Sequence, residues 1–264
     1  MYDLTLFNLA VAAALILVNA AVSLALRLGL ERRLLWASLR TVVQLSLLGL
    51  LLKAIFDAEH PLLVGAMMLF MTVVAGLSAV QRTERRYPGI WVNGVLAAAS
   101  GAWFVTFVTL TLVVPPHVWG ERPAQYAIPL LGMVLGNTLN GLSLGIDRFT
   151  ETLATKRDGI ELRLCLGATR WEAAREAIQN AVRTGTVPII NSMSVVGLVS
   201  LPGMMTGQLL AGADPAVAVK YQIMIMFVIA AGTALGTVTA VLLSYRRLFS
   251  PRHQLRGELL RSAK

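Results

Sequence analysis

The sequence predicts an all-α integral membrane protein of about seven helical spans. Three observations carry that prediction. The 264 residues are 56% hydrophobic, well above the roughly 45–50% of soluble domains, and the mean hydropathy is +0.68. Only 14% of residues are charged, yet the net charge is +9, so the cations must be clustered. The apolar residues fall into runs of about 20, the length that a helix needs to cross a hydrocarbon core.

Taken in order, the expected spans are Leu4 to Leu26, Leu34 to Phe56, Leu62 to Val80, Ile90 to Val114, Tyr126 to Ile146, Val187 to Leu210 and Tyr221 to Tyr245. The N-terminal Met1-Tyr2-Asp3-Leu4-Thr5-Leu6 has no basic region, so the first run is expected to be a permanent span rather than a cleaved signal. In the sixth, Pro202 removes a backbone donor and clashes with the preceding turn, and Gly203 and Gly207 follow. A kink or break is expected there, and Pro202→Ala is expected to straighten the helix. The whole chain, 1–264, reads as a single transmembrane domain with a polar loop at 147–186 and a basic tail at 246–264.

Loop charge sets the expected orientation. One side collects Arg27, Arg32, Arg33, Arg82, Arg85, Arg86, the cations from Arg148 to Arg183, and the tail cations Arg246, Arg247, Arg252, Arg256, Arg261 and Lys264. The other side has only Lys53, Arg122 and Lys220. An excess of Lys and Arg marks the cytoplasmic face. The expected topology therefore has an outward N-terminus and a cytoplasmic C-terminus. The same reading explains the basic charge without nucleic acid, which needs a soluble basic groove.

The loop from Asp147 to Thr186 is expected to be a helix, a tight turn and a second helix. Ile160, Leu164, Trp171, Ala174, Ile178 and Ala181 recur at helical spacing on either side of Gly167. Gly167 suits a left-handed helix C-terminus. Thr169 and Glu172 have the spacing of a capping box, in which hydroxyl and carboxylate each satisfy a free backbone N–H. One reading of this element is a simple extension of the neighbouring spans. The other is a docking corner: Leu166, Gly167, Ala168 and Thr169 allow close backbone approach, and Trp171 offers an interface anchor.

Polar residues within the spans are few. Asn137 and Asn140 lie three apart on the fifth span, Asn191 and Ser192 open the sixth, and Ser200, Thr206 and Gln208 surround its Pro-Gly interruption. Interhelical hydrogen bonding explains Asn137, Asn140, Asn191 and Ser192 slightly better than pore lining, whereas for Ser200, Thr206 and Gln208 a packed kink and a polar path lining are equally open. Arg40 is expected to snorkel to the interface, with Gln44 one turn further in. Met193, Met204, Met205, Met224 and Met226 cluster in the last two spans; thioether sulfur prefers soft ions, but apolar filling is the favoured reading and no metal site is expected. Cys165 is the only cysteine, so an intrachain disulfide is impossible.

The string Glu161-Leu-Arg-Leu-Cys-Leu-Gly-Ala-Thr-Arg-Trp-Glu-Ala173 resembles the coupling loop of ABC transporter permeases, although importers carry Glu-Ala-Ala where this chain has Glu161-Leu162-Arg163. Val196-Gly-Leu-Val-Ser-Leu-Pro-Gly-Met-Met-Thr-Gly-Gln208, Gly212-Ala213-Asp214-Pro215 and Val219-Lys220-Tyr221-Gln222-Ile223 resemble the FetB-type permease family, as does the tail with Tyr245-Arg246-Arg247 and Arg252-His253-Gln254-Leu255. The resemblance implies a homodimeric permease in a bacterial inner membrane, coupled to two copies of a separate ABC ATPase that binds the ATP. It implies iron export, with UDP-glucose or another solute as the alternative cargo.

On that resemblance Glu161, Leu166, Gly167, Ala168, Thr169, Trp171 and Glu172 are the candidate ATPase-coupling residues. The candidate translocation path is Gln44, Asn137, Asn140, Asn191, Ser200, Pro202, Gly203, Met204, Met205, Thr206 and Gln208. No cofactor is expected in this chain, because none of its lysines (Lys53, Lys156, Lys220, Lys264) completes a phosphate-binding G-x-x-x-x-G-K-[ST] loop. An ion-coupled secondary transporter is disfavoured, since the acidic residues Asp57, Glu59, Glu121, Asp147 and Asp214 lie at span ends or in loops. An intramembrane enzyme is disfavoured because His60, His117 and His253 lie outside the spans.

Overall fold

The computed structural model describes residues 5–58, 60–120 and 123–262; Leu4, Glu59, Glu121, Arg122 and Lys264, used above, lie outside them. The chain divides into two compact units, residues 1–60 and 61–264. In the first, α1 (Leu6–Ala25) and α2 (Glu31–Ala58) form an antiparallel hairpin. Its turn is held by Ser23, whose hydroxyl accepts from the Leu30 N–H and donates to Glu31 Oε2, both at 3.0 Å. Arg27 and Gly29 reverse the chain with φ of 51° and 67°. Ala20, Ser23 and Ile55 are buried within this unit.

The second unit runs α3 (Pro61–Gln81), β1 (Arg85–Arg86), α4 (Ile90–Val108) with a π-helical turn at Thr109–Val113, α5 (Pro116–Trp119), α6 (Pro123–Thr155), α7 (Arg157–Cys165), α8 (Arg170–Val195), α9 (Gly203–Leu210), α10 (Pro215–Leu248), a 3₁₀ turn at Gly257–Leu259 and β2 (Arg261–Ser262). β2 pairs antiparallel with β1, Arg86 opposite Arg261. At about 1.5 Å per residue, α6 and α10 are each about 50 Å long, so both project beyond a hydrocarbon core about 30 Å thick.

Helices α4, α6 and α8 pack around α10, α3 packs on α4 and α6, and glycines bring these helices close. A Cβ on Gly101 of α4 would lie 2.5 Å from the Gly232 carbonyl oxygen of α10. Gly141 of α6 and Gly185 of α8 face each other, where a Cβ on Gly185 would lie 2.5 Å from the Gly141 oxygen. Gly76 of α3 abuts the backbone of Gly94 and Val95. Bulky side chains fill the remaining interior: Leu131, Leu142, Ile146, Phe149, Leu153, Val241 and Leu248 are buried. A Trp103 indole donates to Thr72 Oγ1 at 2.9 Å, linking α4 to α3.

Among the described residues, six helices are long and apolar enough to cross a membrane. They correspond to every expected span except the sixth. The chain from Val187 to Leu210 is not one helix but the end of α8, an irregular segment at 196–202, and α9. The cause also differs from the expectation. Pro202 is the N-cap of α9, with φ −64° and ψ 144°, where a missing N–H costs little. The chain reverses earlier, at Gly197 with φ 81°. Here the Val195 carbonyl accepts from Leu198 and Val199, at 3.2 and 3.0 Å, and Gly197 donates to Ser200 O at 2.9 Å. Gly203 and Gly207 have open space where a Cβ would stand, so they make no close helix contact within this chain.

Two outcomes check this packing. Gly101→Ala should destabilise the protein in detergent by about 1–3 kcal/mol through overpacking of α4 on α10. Gly159→Ala, in an exposed turn of α7 with nothing within 4 Å, should be neutral or stabilising by up to about 1 kcal/mol. Thermal unfolding of the two variants side by side separates close packing from glycine's general helix penalty.

Candidate functional site

The corner between α7 and α8 is built as its sequence requires. Gly167 has φ 93°, a conformation that favours residues lacking a Cβ. The Ala168 N–H reaches back to Arg163 O at 3.0 Å and the Gly167 N–H to Leu164 O at 3.1 Å, the paired bonds of a Schellman terminus. Thr169 then caps α8: its hydroxyl accepts from the Glu172 N–H at 3.3 Å, while Glu172 Oε2 accepts from the Thr169 N–H and hydroxyl, both at 2.8 Å. These bonds hold the Glu172 carboxyl below the usual carboxylate range. Glu176 ties the two helices, accepting from Lys156 at 2.7 Å and Arg163 at 3.4 Å, and Lys156 first among these cations holds it below that range too.

The tip of the corner is open. Leu166 is 79% exposed and Gly167 has nothing within 4 Å of a Cβ position. Trp171 is half exposed, with its ring edge-on to Tyr245 of α10 at 5.6 Å. Glu161 serves the corner less directly, accepting from Arg157 Nε at 2.7 Å along α7. The chain after α10 contributes a cap that sequence patterns did not reveal: His253, with φ 56°, accepts the Arg170 N–H at Nδ1 at 2.9 Å. That N–H is one of the free donors of the first turn of α8. No local motif announces a cap supplied across 83 residues.

The candidate path residues are not gathered into one site. Asn137 and Asn140 lie on an exposed face of α6. Asn137 donates to its own helix at Met133 O, 2.9 Å, and Asn140 accepts from Arg82 Nη1 at 2.8 Å. Asn140 is thus joined to the turn after α3, and neither residue mediates buried packing. Asn191 and Ser192 are exposed on α8, and Ser200 is exposed in the irregular segment. Thr206 is half-buried on α9 and donates to Pro202 O at 3.1 Å, within its own helix. Met204 and Gln208 line a cavity of about 310 Å³ against α6 and α10, whereas Pro202 and Met205 line another of about 500 Å³. Gln44 and Arg40 are exposed on α2 in the first unit. Among the described residues, no three His, Cys, Asp or Glu side chains converge as metal ligands.

The family model described as uncharacterised protein family UPF0014 matches residues 6–249. A UPF0014 membrane protein of Synechocystis is 38% identical over 86% of this chain and 87% of its own length. The probable iron export permease protein FetB of Escherichia coli is 33% identical over 96% of each chain. Protein ALUMINUM SENSITIVE 3 of Arabidopsis thaliana is 31% identical over 95% of this chain and 90% of its own. No solved structure matches.

Thr169→Ala should cost about 1 kcal/mol by removing the hydroxyl cap, read as faster amide exchange in the first turn of α8. Because the Glu172 carboxyl titrates lower when folded, its contribution is complete above the unfolded carboxylate pKa and is lost as pH falls through the lower folded value. Amide exchange at the corner should therefore be flat with acidification until that range, after correction for intrinsic rates, and should rise within it. At the break, Pro202→Ala should leave the spin-label distance between positions 195 and 203 unchanged, whereas Gly197→Ala should strain the reversal by about 1–2 kcal/mol.

Proposed function

The chain belongs to the UPF0014 membrane protein family, and from that premise we propose that it is the permease subunit of an ABC-type exporter, energised by a separate ATPase. One observation carries the reading: α8 runs without interruption from the capped, exposed corner at Gly167 to the irregular segment at 196–202. A partner that grips the corner therefore holds one end of a lever about 39 Å long, estimated from helix rise, whose other end is the break.

The proposed cycle uses these parts directly. Two ATPase subunits seat the corners of two permease copies, and ATP-driven closure draws the corners together. Each α8 transmits that displacement, with Pro188 as its one internal point of compliance, and the reversal around Gly197 opens or closes the path beside α9. A general argument supports the two-copy assembly: one chain can hardly form both walls of a gated pathway, and two-fold symmetry is the commonest closure. In a bacterial inner membrane the cation-rich ends, including the corner, face the cytoplasm and the N-terminus faces outward. This puts the corner on the side where ATP is made.

Iron is the cargo that the name of the Escherichia coli relative supports. Acidic residues give little support to ion-coupled transport: Asp147, at the corner-proximal half of α6, accepts the Glu84 N–H at 2.9 Å and is spoken for structurally.

Gly167→Asp should abolish co-purification of the partner ATPase, with insertion in the membrane preserved. Gly167→Asn, which tolerates the left-handed backbone and adds no charge, should retain part of it. Normal recovery of the ATPase by the aspartate variant would refute the coupling role of the corner.

A further inference from the structure

The exposed faces of the second unit are of two kinds. On α3, α4 and α10 they are apolar, with Phe70 and Val74, Leu96 and Phe104, and Phe227 and Leu235 exposed in turn. Where hydroxyls stand among them they are satisfied locally: Ser100 donates to Ala97 O at 3.0 Å and Thr111 to Phe107 O at 2.8 Å. Such faces suit hydrocarbon. The exposed face of α6 and α8 differs, because it carries three carboxamides, Asn137, Asn140 and Asn191.

The two helices run antiparallel, since Cβ positions on Gly141 and Gly145 of α6 lie 2.9 and 3.6 Å from the carbonyl oxygens of Gly185 and Ala181 of α8. From the Gly141–Gly185 crossing, helix rise puts Asn137 about 6 Å along α6 and Asn191 about 9 Å along α8, in the same direction. Asn137 also lies midway along the apolar stretch from Tyr126 to Ile146. Both amides therefore stand at hydrocarbon depth. Neither is satisfied there among the described residues: Asn137 Nδ2 donates to Met133 O at 2.9 Å but its Oδ1 accepts nothing, and Asn191 makes no hydrogen bond. Asn140, one turn nearer the corner, accepts from Arg82 at 2.8 Å and leaves its Nδ2 unused. Lipid supplies no partner to such groups, and leaving them unpaired is costly.

We propose that a second copy of this chain docks on the α6–α8 face, with Asn137 and Asn191 of each copy at the centre of the contact. A carboxamide holds donors and an acceptor together, so a face that bears several is complementary to itself, which is what a two-fold axis demands. An axis along the membrane normal keeps every residue at its own depth. Asn137 and Asn191 differ in depth by only about 3 Å from helix rise, so the Asn191 amide of one copy stands level with the unused Asn137 Oδ1 of the other. Gly136, exposed beside Asn137, has nothing within 4 Å of a Cβ position and leaves room for a neighbouring helix to approach closely. This interface presupposes the two copies of the proposed exporter and gives them a face; polar atoms that lipid cannot satisfy are what select it.

The test uses the full chain in its membrane, with Cys165→Ser so that each added cysteine is the sole thiol. Asn137→Cys and Asn191→Cys are compared with Phe104→Cys on α4 and Phe227→Cys on α10 after oxidation by copper phenanthroline. A disulfide needs Cα atoms within about 7 Å, so at least one asparagine position should give a band of doubled mass on a non-reducing gel, and the two phenylalanine positions none. Separately, two differently tagged copies should co-purify. Asn137→Leu combined with Asn191→Leu should cut that recovery by at least about tenfold, because each lost bond counts twice across the axis. Doubled mass from the phenylalanine positions instead, copies that co-purify with no cross-link at either asparagine, or undiminished pairing of the leucine variant would each overturn the interface. So would a disulfide within one chain between Asn137→Cys and Gln44→Cys, which would put α2 on this face. Recovery of the ATPase on the Gly167 corner in any of those cases would leave the permease reading standing.

Discussion

Backbone-to-backbone approach around α10 is the constraint on which the second unit depends. Lipid offers helices no hydrophobic reason to leave it, so they associate through close van der Waals packing and polar contacts. Glycine at Gly101, Gly141, Gly185, Gly232 and Gly236 permits that approach, and any Cβ at these positions would meet a neighbour at 2.4–2.7 Å. Around the same crossings Thr138, Thr233 and Thr237 are buried with hydroxyls that have no hydrogen-bond partner. Packing closeness therefore prevails over polar satisfaction at the centre of the unit. With that interior fixed, the outer ends of α6, α8 and α10 are free to carry other work beyond the bilayer.

The two glycine classes have opposite uses. Those around α10 exclude side chains to bring helices together, whereas Gly167 and Gly197 adopt positive φ with nothing near them. One terminates α7 at the exposed corner and the other reverses the chain after α8. The same helix is thus bounded at both ends by reversals that favour a residue without a Cβ, which sets α8 apart as a discrete element.

Much of this was legible beforehand because it rests on local chemistry. The corner needed only Gly167, Thr169 and Glu172 at their spacing, and the spans needed only apolar length. The break in the sixth span was legible as an event but not in its cause. Pro202 is conspicuous in sequence, yet reversal falls at Gly197, whose glycine is indistinguishable in sequence from Gly203 and Gly207. The Asn140 bond to Arg82 and the distribution of Met204 and Met205 between two cavities depend on which helices become neighbours. Periodicity within one helix contains no such information.

The cap that His253 gives to Arg170 has a consequence in time as well as in space. Chains are synthesised and fold from the N-terminus, so α8 emerges long before the residue that accepts its first N–H. The strand pairing of Arg261 with Arg86 likewise joins one of the last described segments to a much earlier one. Until the His253 contact forms, the first turn of α8 lacks one of its caps even though every described span has already been made. A newly made copy thus completes the first turn of α8 late, and a chain interrupted before His253 would enter the membrane without that cap.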